Sequence, residues 1–78
     1  MRRGRFETMR DILDTCSKEP KVISRIMGSC NLSYTTVEKL ITSMVEQDYL
    51  FITENGNRIY YHITAKGSET LKALAQLN

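Results

Sequence analysis

The 78-residue sequence is poor in the residues from which metal and catalytic sites are built. It contains one histidine and two cysteines, Cys16 and Cys30. A zinc site needs clustered ligands at characteristic spacing, and these residues are far apart, so we expect no metal. The sequence also lacks a glycine-rich phosphate loop, a Cys–His pair at a recognisable spacing, and paired carboxylates beside a base. It therefore predicts a protein that is not an enzyme and has no cofactor or small-molecule ligand.

Long apolar runs and targeting signals are missing as well. No apolar run approaches the roughly 18 residues that a membrane helix needs. Arg2 and Arg3 are not followed by the hydrophobic segment of a secretory signal. We therefore expect a cytoplasmic protein without membrane contact, whose cysteines stay reduced and partly buried. Both cysteines fall at predicted helix C-terminal ends, where the helix dipole disfavours a thiolate.

The residues that are present fit a single globular domain spanning 1–78. Hydrophobic residues make up 41% of the sequence and the net charge is a mild +2. The segment "MRRGRFETMR" holds four arginines against one glutamate, so residues 1–4 are predicted to form a flexible basic arm. A domain of this size buries only about 60% of its unfolded surface, so dimerisation or a partner would add stability.

Helical periodicity predicts three helices in the first two thirds of the chain. The first spans about residues 4–16, with apolar side chains on one side (Phe6, Met9, Leu13 and Cys16), and is followed by Pro20. The second lies around "ISRIMGSC", with Ser24 as a possible cap and Asn31 suited to a left-handed helix end. The third follows Ser33, a good N-cap, and carries an apolar stripe (Val37, Leu40, Ile41, Met44 and Val45).

The stretch "ENGNRIYYHITAKG" predicts a β-hairpin that leads into a fourth helix. Asn55 and Gly56 suit a two-residue type I′ turn, which would place Leu50 opposite Tyr61 and Phe51 opposite Tyr60. Because faces alternate along a strand, one face is predicted to be apolar (Leu50, Ile52, Ile59, Tyr61 and Ile63). Thr64 is predicted to cap the last helix, whose inward residues would be Leu71, Leu74 and Ala75.

The predicted order is helix, helix, helix, hairpin, helix, a mainly α fold with one β-hairpin. A three-helix unit followed by a hairpin is the winged form of the helix-turn-helix, with the hairpin as the wing. The segments "RFETMRDIL", "SRIMGSCNLSYTTVEKLITSMVEQDYL" and "YYHITAKGSETL" resemble small archaeal winged-helix DNA-binding proteins. That family includes predicted transcriptional regulators and dimeric chromatin-type proteins. The resemblance implies that the third helix is the recognition helix and that its first turn enters the major groove.

The residues themselves support a DNA-binding role for the third helix. Ser33, Tyr34, Thr35 and Thr36 bear hydrogen-bonding groups at a helix N-terminus, which attracts phosphate. Thr35, Lys39 and Thr42 form the outward stripe. No Arg, Asn or Gln lies on the early part of that stripe, so the helix is not predicted to impose strong sequence specificity.

Further DNA contacts are predicted outside the third helix. Asn57 and Arg58 lie at the polar tip of the wing, where an arginine can bind phosphate or enter the minor groove. Arg2 and Arg3 can follow the phosphate backbone as an arm, and Lys21 precedes the second helix. For each of these residues the alternative is an ordinary solvated side chain or a requirement of turn geometry.

The outer face of the hairpin is predicted to carry an aromatic cluster of Tyr49, Phe51, Tyr60 and His62. A small domain rarely leaves such a surface bare. The first or last helix of the same chain could cover it, or a second subunit could do so with Leu77 adding to the contact. We favour the homodimer.

Two functions fit these features. The first is a transcriptional regulator, or a small architectural protein, that binds double-stranded DNA. The alternative is a winged-helix module for protein–protein interaction. Clustering of the basic residues on the recognition-helix side would favour DNA, and their dispersal would favour a protein partner.

Overall fold

The computed structural model describes residues 4–76 and confirms the predicted order of elements. The bounds are α1 Arg5–Ser17, α2 Ile23–Cys30, α3 Tyr34–Glu46, β1 Leu50–Asn55, β2 Arg58–Ile63 and α4 Ala65–Ala75. Arg2, Arg3 and Leu77 lie outside the described residues, as does most of the predicted basic arm. No helix within the described range is both long and apolar enough to cross a bilayer.

The core lies where α1, α2 and α3 meet the base of the hairpin. Its buried hydrophobic residues come from these four elements: Ile12, Leu13, Cys16, Ile26, Cys30, Val37, Ile41, Met44 and Leu50. Two predicted inward residues are not inward. Phe6 is 68% exposed because the apolar side of α1 continues beyond the edge of the core. Ala75, in the last turn of α4, is also exposed.

The predicted caps are confirmed at two of three helix starts. The Ser33 side chain accepts a hydrogen bond from the Thr36 amide, and Thr64 accepts one from the Gly67 amide. Each bond satisfies a donor that the first helical turn leaves without a partner. Ser24 is not a cap, because the N-cap position of α2 is Val22, two residues earlier, and it has no side-chain hydrogen bond.

Left-handed residues other than glycine end α2 and follow α3. Asn31 ends α2 at φ 55°, as its sequence position predicts. Asp48 follows α3 at φ 67°. Its amide donates to the Val45 carbonyl, and the Tyr49 amide donates to the Met44 carbonyl at 2.8 Å. This pair of bonds is the Schellman arrangement, and it redirects the chain from α3 into β1.

The hairpin is confirmed, but its turn and register differ from the prediction. Gly56 and Asn57 form the turn, and Leu50 pairs with Ile63 rather than with Tyr61. Gly56 has φ +64° while Asn57 is not among the positive-φ residues. Those signs belong to a type II′ turn, in which glycine holds the first central position, and not to type I′. Each partner moves by two residues, so the residues of β1 and β2 stay on their predicted faces.

The tip of the hairpin extends past the core, which leaves part of its apolar face open. Ile52 and Ile59 are 46% and 45% exposed, whereas Leu50 at the base is 1% exposed. Both isoleucines lie on the predicted apolar face, and neither is buried. Only the part of the wing next to α1 and α3 has a core to pack against.

Substituting Gly56 with valine is expected to lower the free energy of unfolding by about 1 kcal/mol or more. A Cβ at this position would meet nothing within 4 Å, so the whole cost is backbone strain at φ +64°. Gly56→Asn is the matched control, because asparagine tolerates positive φ better than a β-branched residue. Urea unfolding of the G56V and G56N variants measures the difference. Equal stability of the two variants would contradict the assigned turn.

The two cysteines are buried thiols, as predicted. The pKa of Cys16 is raised to about 11, chiefly by burial and also by the nearby Cys30, while Lys21 acts in the opposite direction. In an unfolded chain the thiol pKa is about 8.5. The folded protein thus holds this proton more tightly. The resulting stability is fully present below the unfolded pKa and disappears as the pH rises through about 11.

Alkaline pH is therefore expected to destabilise the domain partly through Cys16, by about 2–3 kcal/mol between pH 8.5 and 11. Burial of the Tyr61 side chain raises its pKa too, so the comparison needs a variant. Cys16→Ala should be less stable at neutral pH, yet lose less stability across the alkaline range. Chemical unfolding at a series of pH values gives the free energy of unfolding against pH for the wild type and for the Cys16→Ala variant. An equal loss of stability with pH in the two proteins would contradict the role of Cys16.

Candidate nucleic-acid interface

The N-terminal half of α3 presents an exposed polar surface. Ser33, Tyr34, Thr35 and Thr36 are all exposed, as are Lys39 and Thr42 further along the helix. The Ser33 and Thr36 hydroxyls are 3.0 Å apart and bond to each other. Within the described residues, the side chains of Thr35, Lys39 and Thr42 have no hydrogen-bond partner. These three therefore hold the donors that are available to a ligand along the outward stripe.

Tyr34 is engaged by its own helix. Its hydroxyl donates a 2.7 Å hydrogen bond to Oε2 of Glu38, four residues later. This bond, followed by the charge of Glu38, raises the pKa of the Tyr34 phenol. The phenol is therefore neutral at physiological pH and its proton is directed at the carboxylate. Tyr34 orients Glu38 rather than offering a free donor.

Arg58 joins two clefts on either side of the wing. One cleft, of about 410 Å³, lies between the start of α2, the helix α3 and the wing, and it includes Tyr34, Glu38 and Asn57. The other, of about 510 Å³, is lined by Lys21, Arg25, Ser29 and Arg58 among others. A single arginine thus connects the surface of α3 with a second basic surface on α2. We call these two clefts together the wing clefts.

Lys21 has a structural role beside its place in the second cleft. Its backbone bridges β2 through two hydrogen bonds with Tyr61, at 2.8 and 3.1 Å. Its ammonium group donates to Glu19 at 2.7 Å, and this bond and charge lower the pKa of the Glu19 carboxyl. A ligand phosphate would have to compete with Glu19 for this cation, so the predicted contact of Lys21 remains a prediction.

The predicted site residues are thus brought together in part. Lys21, Asn57 and Arg58 meet at the wing clefts, and Tyr34 reaches them from α3. Arg25 and Ser29 were not predicted from the sequence. They occupy one exposed side of α2 at helical spacing, and this spacing could have identified them. Sequence reasoning also missed Glu38, which lies between the apolar stripe and the outward stripe.

The aromatic outer face of the wing is present with three of its four predicted members. Phe51 and His62 stack with ring centroids 4.5 Å apart, and His62 Nε2 lies 2.7 Å from the Thr53 hydroxyl. Phe51 stays 45% exposed, and Tyr60 is half-buried. Tyr49 does not belong to this face. It packs against the core, and Lys66 lies 4.8 Å from its ring centroid.

Among residues 4–76, no group of three or more His, Cys, Asp or Glu side chains could hold a metal ion. The chemistry available at the wing clefts is therefore that of hydrogen bonds, arginine and lysine charges, and apolar contact. That set of groups can bind a ligand.

A family model of winged helix-turn-helix domains matches residues 2–78. The chain belongs to this family. It is similar to Sso10a-2, a DNA-binding protein from Sulfolobus solfataricus, at 28% identity and a TM-score of 0.90, over 96% of this chain and 78% of that chain. No curated protein matches the chain.

Two more distant structures share the fold. ZitR from Lactococcus lactis, in complex with DNA, is 19% identical with a TM-score of 0.78, over 88% of this chain and 49% of that one. Human N-acetylserotonin methyltransferase is 18% identical with a TM-score of 0.72, over 81% of this chain and 19% of that one. Since the fold also occurs within an enzyme, function has to be argued from the surface of this chain.

Proposed function

We propose that this protein binds double-stranded DNA as a transcriptional regulator and has no catalytic activity. The recognition helix α3 would enter the major groove through its first two turns, with Thr35, Lys39 and Thr42 facing the duplex. The wing would lie against the adjacent backbone or minor groove through Asn57 and Arg58. Such a role would place the protein in the cytoplasm with the DNA.

The observation that carries this proposal is the position of Arg58. It lines one cleft with Tyr34 of α3 and the other with Lys21 and Arg25, so this arginine connects the α3 surface with the two other basic residues. Arginines and lysines beside an exposed helix N-terminus are the groups that hold a protein on phosphates. The likeness to a DNA-binding protein over nearly the whole chain supports the same conclusion.

A protein-binding role is the second candidate, and one observation favours it. The first wing cleft also contains apolar side chains, from Val22, Ile23, Ile59 and Tyr61. Ile59 is 45% exposed there. An apolar peptide segment could be bound at this place without any contact to phosphate.

Fluorescence anisotropy with a random-sequence duplex at two salt concentrations separates the two candidates. We expect dissociation constants in the micromolar range at moderate salt, with affinity falling steeply as salt rises, because bound phosphates release counterions. Absence of binding at low salt would overturn the DNA proposal and favour the protein partner.

We further propose that the protein forms a homodimer through Phe51, Tyr60 and His62 of the wing. The exposed ring of Phe51 supports this proposal, because burying it against a second copy removes apolar surface from water. Sedimentation velocity should give a dimer for the wild type and a monomer for Phe51→Ser. A dimer that survives this substitution would exclude the aromatic face as the interface.

A further inference from the structure

The recognition helix carries an exposed carboxylate whose orientation is fixed and whose charge is not neutralised. Glu38 accepts a hydrogen bond from Tyr34 through Oε2, at 2.7 Å. No basic side chain of residues 4–76 forms an ion pair with it. It lies in the second turn of α3 and lines the cleft that also contains Arg58. A carboxylate at this place would be repelled by every phosphate of a bound duplex.

We propose that Glu38 is the base-reading residue of this protein and that it selects cytosine in the major groove, with Tyr34 as its positioning residue. This inference rests on the DNA-binding function proposed above. A carboxylate can only accept hydrogen bonds, so it can only recognise a base that presents a donor. In the major groove cytosine offers its N4 amino group, whereas guanine offers two acceptors and thymine an acceptor and a methyl group.

Adenine is the remaining base with a donor, and it suits Glu38 less well. Its N6 amino group stands beside the N7 acceptor, which repels the second carboxylate oxygen. The Tyr34 bond uses one lone pair of Oε2 and leaves Oε1 open to a donor on a base. A single accepted bond matches cytosine, and the bond from Tyr34 reduces the number of side-chain rotamers that must be given up on binding.

The charge of Glu38 adds a penalty against all other sequences. On a duplex without a matching donor, the carboxylate loses its hydration and gains no partner. This penalty lowers the affinity for nonspecific DNA and also favours the correct base. A helix without Arg, Asn or Gln on its outward stripe can therefore discriminate between DNA sequences.

The test is selection from a pool of randomised duplexes, with sequencing of the bound fraction and anisotropy on the selected sites. We expect the wild type to prefer cytosine at one position of each half-site, by roughly tenfold in affinity. Glu38→Gln should change that preference to adenine, because glutamine pairs with adenine N6 and N7. Glu38→Ala should lose the preference at that position and bind random duplex several-fold more tightly.

Two further variants separate base reading from charge and from helix stability. Glu46→Gln removes the same charge from the far end of α3, and it should strengthen random-duplex binding without altering the selected sequence. Tyr34→Phe keeps the carboxylate but removes its orienting bond, and it should retain cytosine with weaker discrimination.

A selected sequence that is the same for wild type, Glu38→Gln and Glu38→Ala would overturn this inference while leaving DNA binding in place. Failure of the wild type to bind any duplex in a salt-sensitive way would instead overturn the proposed function itself, and this inference with it.

Discussion

Replacing Gly67 with alanine is expected to destabilise the domain by about 3 kcal/mol or more, a large fraction of the stability of a chain this small. Gly67 is buried in the first turn of α4. A Cβ on it would overlap the carbonyl oxygen of Tyr49 and lie 2.9 Å from Cγ1 of Ile63. The carbonyl oxygen of Tyr49 is a backbone atom, so it cannot move aside as the end of a flexible side chain can.

The cost is high because the same few atoms hold the hairpin and α4 together. The Tyr49 carbonyl accepts a hydrogen bond from the Thr64 amide at 3.1 Å, and the Thr64 hydroxyl donates to the neighbouring Asp48 carbonyl at 2.6 Å. The Thr64 hydroxyl also caps α4 by accepting from the Gly67 amide at 2.9 Å. Moving α4 outward to admit a methyl group would break the cap and separate α4 from the base of the wing.

Gly28→Ala is the matched control for this prediction. Gly28 lies in α2, and a Cβ on it would meet nothing within 4 Å. Alanine should therefore stabilise α2 by up to about 1 kcal/mol through its helix propensity. Thermal unfolding should show a fall of roughly 12–24 °C for the Gly67 variant and no fall for the Gly28 variant. Similar behaviour of both variants would mean that α4 does not pack closely on Tyr49.

The element order could be predicted from the sequence because each boundary has a local cause. Ser33 and Thr64 cap their helices through their own hydroxyls, and the αL position of Asn31 follows from its side chain. These signals act within a few residues and need no tertiary information. The Ser24 error arose where no such signal exists, since α2 begins without a side-chain cap.

The hairpin register could not be predicted by the same reasoning. The observed pairing and the predicted pairing differ by two residues and therefore put the same side chains on each face. Hydrophobic alternation does not distinguish them. The turn decides between the two pairings. Within the turn only Gly56 has a positive φ, so this glycine, and not an Asn-Gly pair, sets the register.

The candidate site was only partly readable for a similar reason. Lys21 and Arg58 are 37 positions apart in the sequence, and the bridge between Lys21 and Tyr61 brings them to one cleft. Arg25 joins them because α2 packs beside the same strand. Glu38 was overlooked because it belongs to neither the buried nor the outward stripe, and its significance depends on the bond from Tyr34.

Arg58 and Arg25 are expected to bind phosphate directly. Replacing either one with alanine should weaken binding by roughly tenfold on every duplex sequence tested, because a charged hydrogen bond to phosphate is lost. The slope of log affinity against log salt should fall in magnitude by about 0.9 for each lost contact. Both side chains are exposed, so stability should change by no more than about 0.5 kcal/mol.

Lys39→Ala and Lys72→Ala test whether the effect of removing a basic residue depends on its position on the surface. Lys39 belongs to the recognition helix and should behave like the two arginines, with a loss that is independent of sequence. Lys72 lies in the last turn of α4 and lines neither wing cleft, so its removal should leave both affinity and salt slope almost unchanged. Each variant changes the net charge by the same amount. Equal effects of all four substitutions would therefore show that only the overall charge matters, and that the duplex does not lie against α3 and the wing.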